Sequence, residues 1–243
     1  MQIIPAVDIR GGKCVRFEQG DYERETVYDD DPASVAERWQ AQGAKRLHVV
    51  DLDGAREGRP VNGDVVNRIL AAVSVPVHVA GGVRDIETVQ EYLDAGADRV
   101  VLGTTAIKDP TTLLNTIAQF RDRIIVSVDA RDGVVRTEGW TEGSDVNALD
   151  MVRDLSEIGA RRIVYTDISA DGMLGGPNFT AIAQLLDVVS GLISPVAVIA
   201  AGGISSVDHV RQLARLGVHG AIVGKALYTG ALDLGEALNA GVS

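Results

Sequence analysis

The sequence predicts an α/β protein, a single (β/α)8 TIM barrel over residues 1–243, and three observations carry that expectation. The chain has 243 residues, close to the roughly 250 of a complete barrel of this kind. Short runs rich in Val, Ile and Ala alternate with stretches of helical period, which implies parallel strands with helices packed outside them. The second half of the chain also repeats landmarks of the first, and a constant offset separates them.

Taken in order, the apolar runs are residues 3–7, 46–50, 75–80, 99–102, 124–128, 162–165, 196–200 and 221–223. Their composition is that of strands buried on both faces. Asp31-Pro32 and Asp109-Pro110 each supply a capping carboxylate and a proline in the first turn of the following helix. Gly43, Gly96, Gly159 and Gly217 stand a few residues before the second, fourth, sixth and eighth runs, where a left-handed helix end favours glycine. No low-complexity linker divides the chain.

The stretch Val75-Pro76-Val77-His78-Val79-Ala80-Gly81-Gly82-Val83 resembles Val196-Ala197-Val198-Ile199-Ala200-Ala201-Gly202-Gly203-Ile204. Residues 81 and 202, 103 and 224, and 8 and 129 share the offset 121. The His48-Val49-Val50-Asp51 and Val164-Tyr165-Thr166-Asp167 pair stands at 116, so a small length change lies within the halves. Pro60 and Asn62 loosely mirror Pro177 and Asn178. Two half-barrels, roughly residues 1–121 and 122–243, are therefore expected, with Asp8 and Asp129 on opposite sides of one mouth.

Composition narrows the function. A hydrophobic content of 46% allows a large core, and no apolar stretch approaches the roughly 20 residues that a membrane helix needs. The opening MQIIPAVDIR shows no basic leader, long apolar run or cleavage site, so a cytoplasmic protein with no membrane partner is expected. Cys14 is the only cysteine; a buried spectator thiol is the expected role, with no internal disulfide or thiolate metal cluster. A net charge of −11 argues against nucleic-acid binding, which depends on basic patches. Lysine occurs only at 13, 45, 108 and 225, and aspartate is abundant, as in Asp29-Asp30-Asp31; that pattern resembles salt-adapted proteins. His48, His78, His209 and His219 are scattered without metal-ligand spacing, so no metal is expected. Neither a Gly-x-Gly-x-x-Gly opening nor a P-loop occurs, and cofactor-free chemistry in a monomer is expected.

In α/β barrels the site lies at the carboxyl ends of the strands. Asp8 ends the first apolar run and Asp129 the fifth, and two carboxylates in different environments can divide acid and base work. Asp51 and Asp167 also end runs, but a structural capping role is the better reading for them. Gly81-Gly82 and Gly103-Thr104 follow the third and fourth strands, and Gly202-Gly203 and Gly224-Lys225 follow the seventh and eighth. Glycine there lets backbone N–H groups approach an anion, with a helix terminus adding a favourable dipole. A lone pair marks a tight turn; the set found twice favours a bisphosphorylated ligand. The stretch from Asp171 through Gly172, Met173, Leu174 and Gly175 to Gly176 is long enough to act as a cover, and Gly11-Gly12-Lys13 could do likewise. Asp171 is a third carboxylate candidate and Gly172 a substrate-binding one. Trp140 can stack on a flat heterocycle or pack its own loop, and Arg16 and Arg84 can hold a phosphate or carboxamide or simply be solvated.

These residues resemble a known family. Ile4-Pro5-Ala6-Val7-Asp8, Lys13-Cys14-Val15-Arg16, Gln19-Gly20-Asp21-Tyr22, Gly81-Gly82-Val83-Arg84, Thr166-Asp167-Ile168 with Asp171-Gly172, and Gly202-Gly203-Ile204 look like the phosphoribosylformimino-AICAR ribotide isomerases of histidine biosynthesis. The likeness spans nearly the whole chain and implies a two-phosphate half-barrel duplication. It implies an Amadori rearrangement that turns the aminoaldose of N'-((5'-phosphoribosyl)formimino)-5-aminoimidazole-4-carboxamide ribonucleotide into an aminoketose. By the same resemblance Asp8 is the general base at ribose C2′, Asp129 the general acid of ring opening with Asp171 competing for that role, and Thr166 a residue that positions the sugar. The sister cyclase shares the half-barrel, but its first strand resembles Ile-Pro-Cys-Leu-Asp where this chain has Ala6-Val7. A dual-specificity relative that also isomerises phosphoribosylanthranilate carries an arginine where this chain has Glu138, so a single substrate is expected. A non-catalytic barrel that binds a phosphorylated ligand is disfavoured because both mouth aspartates are present.

Overall fold

A computed structural model describes residues 1–19 and 21–242; Gly20, part of the motif at 19–22, lies outside the described residues. The strands are β1 (Gln2–Arg10), β2 (Lys13–Glu18), β3 (Asp21–Asp29), β4 (Leu47–Asp51), β5 (Val77–Ala80), β6 (Arg99–Leu102), β7 (Ile124–Arg131), β8 (Val134–Thr137), β9 (Glu142–Asn147), β10 (Arg162–Asp167), β11 (Ala197–Ala201) and β12 (Gly220–Val223). Strands β1, β4, β5, β6, β7, β10, β11 and β12 pair in that order, all parallel, and β12 returns to β1. This ring is the predicted barrel, and each of the eight expected runs contributes one strand to it.

Side chains alternate across a strand with period two, so one set fills the barrel and the other packs on the helices. Ile4, Ala6, Ala80, Val101, Ile125, Val164, Ile199 and Ile222 form the inner cluster. Val7, Val49, Val79, Val100, Val126, Ile163 and Val223 belong to the larger cluster outside it. Continuing the inner set toward the carboxyl ends reaches Asp8 on β1, Ser127 and Asp129 on β7, and Thr166 on β10.

The helices begin and end as their sequences dictate. The Asp31 carboxylate accepts from Ala33 N at 3.3 Å ahead of Pro32–Ala41, and that of Asp109 accepts from Thr112 N at 3.0 Å ahead of Pro110–Phe120. The four glycines expected after helices have φ between +89° and +106°. Among the described residues no helix is long and apolar enough to cross a membrane.

Two departures from expectation matter for the site. Strands β1 and β7 run on past the barrel and fold back as antiparallel extensions, β1–β2–β3 and β7–β8–β9. Consequently Gly11-Gly12, expected as a mobile cover, is the tight turn between β1 and β2, with φ of +53° and +78°. Its amides are anchored to Asp53 Oδ2 at 2.7 Å and Asn62 Oδ1 at 3.0 Å. Cys14 is fully buried on β2, 3.3 Å from the Tyr228 hydroxyl.

Candidate active site

One cavity opens at the carboxyl ends of the barrel strands and is lined by Asp8, Arg16, His48, Ser127, Asp129, Thr166 and Asp171, together with Gly81, Gly82, Arg84, Gly103, Thr104 and Trp140. The strand period that fills the barrel thus brings Asp8 and Asp129 into one space, and the loop after β10 adds Asp171.

Each carboxylate has its own surroundings. Asp8 accepts from Arg16 Nη1 at 2.5 Å, and only 13% of its side chain and 10% of that of Arg16 are exposed. Burial raises its carboxyl above the ordinary range, and the guanidinium opposes that rise. Asp129 accepts from Ser127 Oγ at 2.7 Å. Burial raises it too, while hydrogen bonds from Thr166, Ser127 and Trp140 pull it back down. Burial pushes Asp171 up to about 6; Arg16 lowers it, and the neighbouring Asp8 and Asp129 raise it. Burial and Arg16 hold the His48 imidazole down at about 4, so it is neutral near pH 7.

Asp171 is brought to the mouth by ties to the β2 extension. Gln19 N donates to its carbonyl at 3.1 Å, and Gln19 Nε2 donates to Ser169 O at 2.7 Å. Gly172, expected to touch substrate, makes this crossing possible: φ is +69°, and a Cβ would lie 2.5 Å from Phe17 O.

Asp51 and Asp167 stabilise loops, as the sequence suggested. Fully buried Asp51 accepts from Gly54 N, Val61 N and Asn62 N at 2.8 Å each and from Asn62 Nδ2 at 2.7 Å. Asp167 accepts from Ser169 N at 3.0 Å and Asn178 Nδ2 at 2.7 Å. The loose Pro/Asn likeness between the halves is therefore a repeated carboxylate–asparagine clasp. Gly81 and Gly202, with φ of +97° and +93°, pass directly over the carbonyls of Asp51 and Asp167, an approach that a side chain would block.

The glycine loops fall into two groups. Gly81, Gly82, Gly103 and Thr104 line the cavity with Arg84, whose guanidinium is ion-paired with Glu138. Gly202, Gly203, Gly224 and Lys225 are not among the residues that line this cavity: Gly202 and Gly203 lie against Asp167 and Gly176 of the loop after β10, Gly224 lies against Arg16 of β2, and Lys225 Nζ donates to Glu18 Oε1 at 2.6 Å. Arg16, expected either as a phosphate or carboxamide ligand or as a solvated side chain, is buried in the cavity wall. Its guanidinium is taken up by Asp8 and by the Ala6 carbonyl at 2.9 Å, and it packs under Gly224, 5.4 Å from the Tyr228 ring centroid. Trp140 lines the cavity on the side of Asp129, to which it is hydrogen-bonded. Among the described residues no group of three or more His, Cys, Asp or Glu side chains is arranged to hold a metal ion.

The sequence matches the family described as histidine biosynthesis protein across residues 2–233. The chain belongs to that family. Among its relatives, an enzyme of Chloroflexus aggregans is 52% identical over 238 residues, covering 98% of this chain and 97% of its own. One from Roseiflexus castenholzii is 50% identical over 240 residues, with 99% of each chain covered. One from Synechocystis sp. is 48% identical over 243 residues, covering 99% of this chain and 93% of its own. All three are named 1-(5-phosphoribosyl)-5-((5-phosphoribosylamino)methylideneamino)imidazole-4-carboxamide isomerase.

For this family member, residue-by-residue reading of the sequence passed over Ser127, Glu18 and Lys108. Ser127 had a signal, since it lies two residues before Asp129 on the same inner face. The other two had none: Glu18 depends on how the β2 extension folds back, and Lys108, which ends the helix Thr105–Lys108, gains its partners Glu138 and Glu142 only where the β8–β9 extension reaches it.

Proposed function

We propose that this chain isomerises the bisphosphorylated formimino ribotide named above, converting its aminoaldose to an aminoketose by an Amadori rearrangement in histidine biosynthesis. The observation that carries this reading is the convergence of three carboxylates in unlike environments on one cavity at the carboxyl end of the barrel. The relatives' shared name supplies the substrate class, a compound with two phosphoribosyl groups.

The reaction is an internal redox rearrangement and needs no outside oxidant. A carboxylic acid protonates the furanose ring oxygen, the C1′–O bond breaks, and the glycosidic nitrogen's electron pair forms the iminium. A carboxylate then removes the C2′ proton, and the resulting enolamine tautomerises to the ketose. Asp8, kept available as a carboxylate by Arg16, suits the base. Asp171, with a carboxyl near 6, is the group best matched to deliver a proton near neutrality; Asp129, held by three donors, stabilises the opened sugar together with Thr166. The two glycine grips anchor the phosphates, and this remote binding orients the sugar between the carboxylates. We read the two grips as products of one half-barrel unit, roughly residues 1–121 and 122–243, in a protein that acts as a monomer in the cytoplasm.

Glu138 beside the first grip would meet an anthranilate carboxylate with like charge, which favours a single substrate over dual specificity. The test is a spectrophotometric assay with the formimino ribotide, coupled to excess cyclase–glutaminase, at low and at molar KCl, with phosphoribosylanthranilate in parallel. Turnover that disappears in Asp8→Asn, while that variant still binds the ribotide, supports the assignment. Full turnover by Asp8→Asn, or none by folded wild-type protein in either salt, overturns it.

A further inference from the structure

We infer that Glu138 and Glu18 are built-in counter-ions of the two phosphate grips, carboxylates that occupy the grip cations until a substrate phosphate displaces them. The inference rests on the reading of the glycine loops as phosphate grips. Its observations come from the outer ends of the two strand extensions.

Glu138 follows β8 directly. Its carboxylate is ion-paired with Arg84 Nη2 and lies 2.7 Å from Lys108 Nζ, with only 13% of the side chain exposed. Its backbone N–H donates to Thr104 Oγ1 at 3.0 Å. Glu138 therefore touches both loops of the first grip, the one ending in Arg84 and the one starting at Gly103-Thr104. At the other grip Glu18, the last residue of β2, pairs with Lys225 next to Gly224, and 18% of the Lys225 side chain is exposed. The two glutamates sit on the extensions of β1 and β7. In the 121-residue register Glu18 corresponds to position 139, one residue from Glu138. The same device thus occurs twice, by a neighbouring rather than an identical residue.

A phosphate dianion cannot share these cations with a carboxylate at hydrogen-bonding range without like-charge repulsion, so entry of the phosphate requires the glutamate to leave. The turn at the first grip favours release. Glu138, Gly139 and Trp140 have φ of +54°, +60° and +71° in succession, a left-handed run that side-chain-bearing residues adopt only under outside constraint. The ion pairs of Glu138 and its bond to Thr104 supply part of that constraint. The charge of an empty grip is partly offset in this way, and inorganic anions must compete with a tethered carboxylate.

Calorimetric titration of the full chain with inorganic phosphate at low ionic strength tests this. Glu138→Gln and Glu18→Gln are each expected to bind phosphate about three- to tenfold tighter than wild type at one grip, with both gains present in the double variant. Glu138→Asp, which keeps the charge and loses the reach, should also tighten binding. Glu142→Gln, which removes a partner of Lys108 at 2.8 Å but none of Arg84 and leaves Glu138 on both cations, should tighten it less than Glu138→Gln. Unchanged or weaker binding in both glutamine variants, or equal tightening in Glu142→Gln, overturns the counter-ion role while leaving the grips in place. No phosphate binding by wild type or any folded variant overturns the grips themselves, and the inference with them. Should Glu138→Gln fail to fold, Glu18→Gln tests the second grip independently.

Discussion

Arg16 Nη1 lies 2.5 Å from Asp8 Oδ2, although the two residues belong to different strands of an antiparallel pair whose register sets Asp8 opposite Val15. The guanidinium lowers a carboxyl that burial alone would raise. Replacing it in Arg16→Gln leaves burial unopposed, so Asp8 holds its proton to higher pH. The acid limb of the kcat/KM profile should then move to higher pH. An unmoved limb would detach Arg16 from the base.

Asp171 couples stability to pH. The folded protein holds its proton up to about 6, whereas the unfolded aspartate titrates near 3.8. Stabilisation from the protonated group is therefore complete below about pH 4 and is lost as pH rises through about 6. Asp8 and Asp129, also raised, act in the same direction. Asp171→Asn cannot ionise and should match wild type at pH 4 but exceed it at pH 7 by about 1 to 3 kcal/mol in urea unfolding. Equal stability at both pH values would contradict the shift.

The acid role separates Asp171 from Asp129 kinetically. Asp171→Asn should lower kcat/KM by about a hundred- to ten-thousand-fold and abolish the alkaline limb near pH 6. Asp129→Asn should cost a similar factor and retain that limb. A retained limb in Asp171→Asn would transfer ring opening to Asp129.

Two glycines of similar backbone angle should respond differently to alanine. Gly81 has φ +97° and a Cβ there would run into the Asp51 carbonyl; Gly96 has φ +106° and nothing within 4 Å. Gly96→Ala should cost about 1–2 kcal/mol from the left-handed backbone alone. Gly81→Ala should cost more than about 4 kcal/mol, since backbone must also move. Denaturant unfolding of both variants, with wild type as reference, measures the difference.

The strands of the barrel, their helix caps and the two mouth aspartates were legible in the sequence because each is written in a local pattern. Period-two alternation carries Ile4 and Ala6 on to Asp8, and Ile125 and Ser127 on to Asp129, within a few residues. The extensions were not legible for the same reason. Strand β3 reads DYERETVYD and β9 reads EGSDVN, both largely exposed and without an apolar run to announce them.

What the sequence by itself determined is the fold class, the end of the barrel at which the candidate site lies, and the aspartates that project there. What only the tertiary structure decided is who neutralises whom. Lys225 meets Glu18 across 207 residues of chain and Arg84 meets Glu138 across 54, and Asp171 acquires its raised carboxyl from burial, with Asp8 on β1 and Asp129 on β7 adding to the rise. Charge pairing and pKa depend on distance and burial in space, and those exist only once the ring has closed and the two strand extensions have folded back over its mouth.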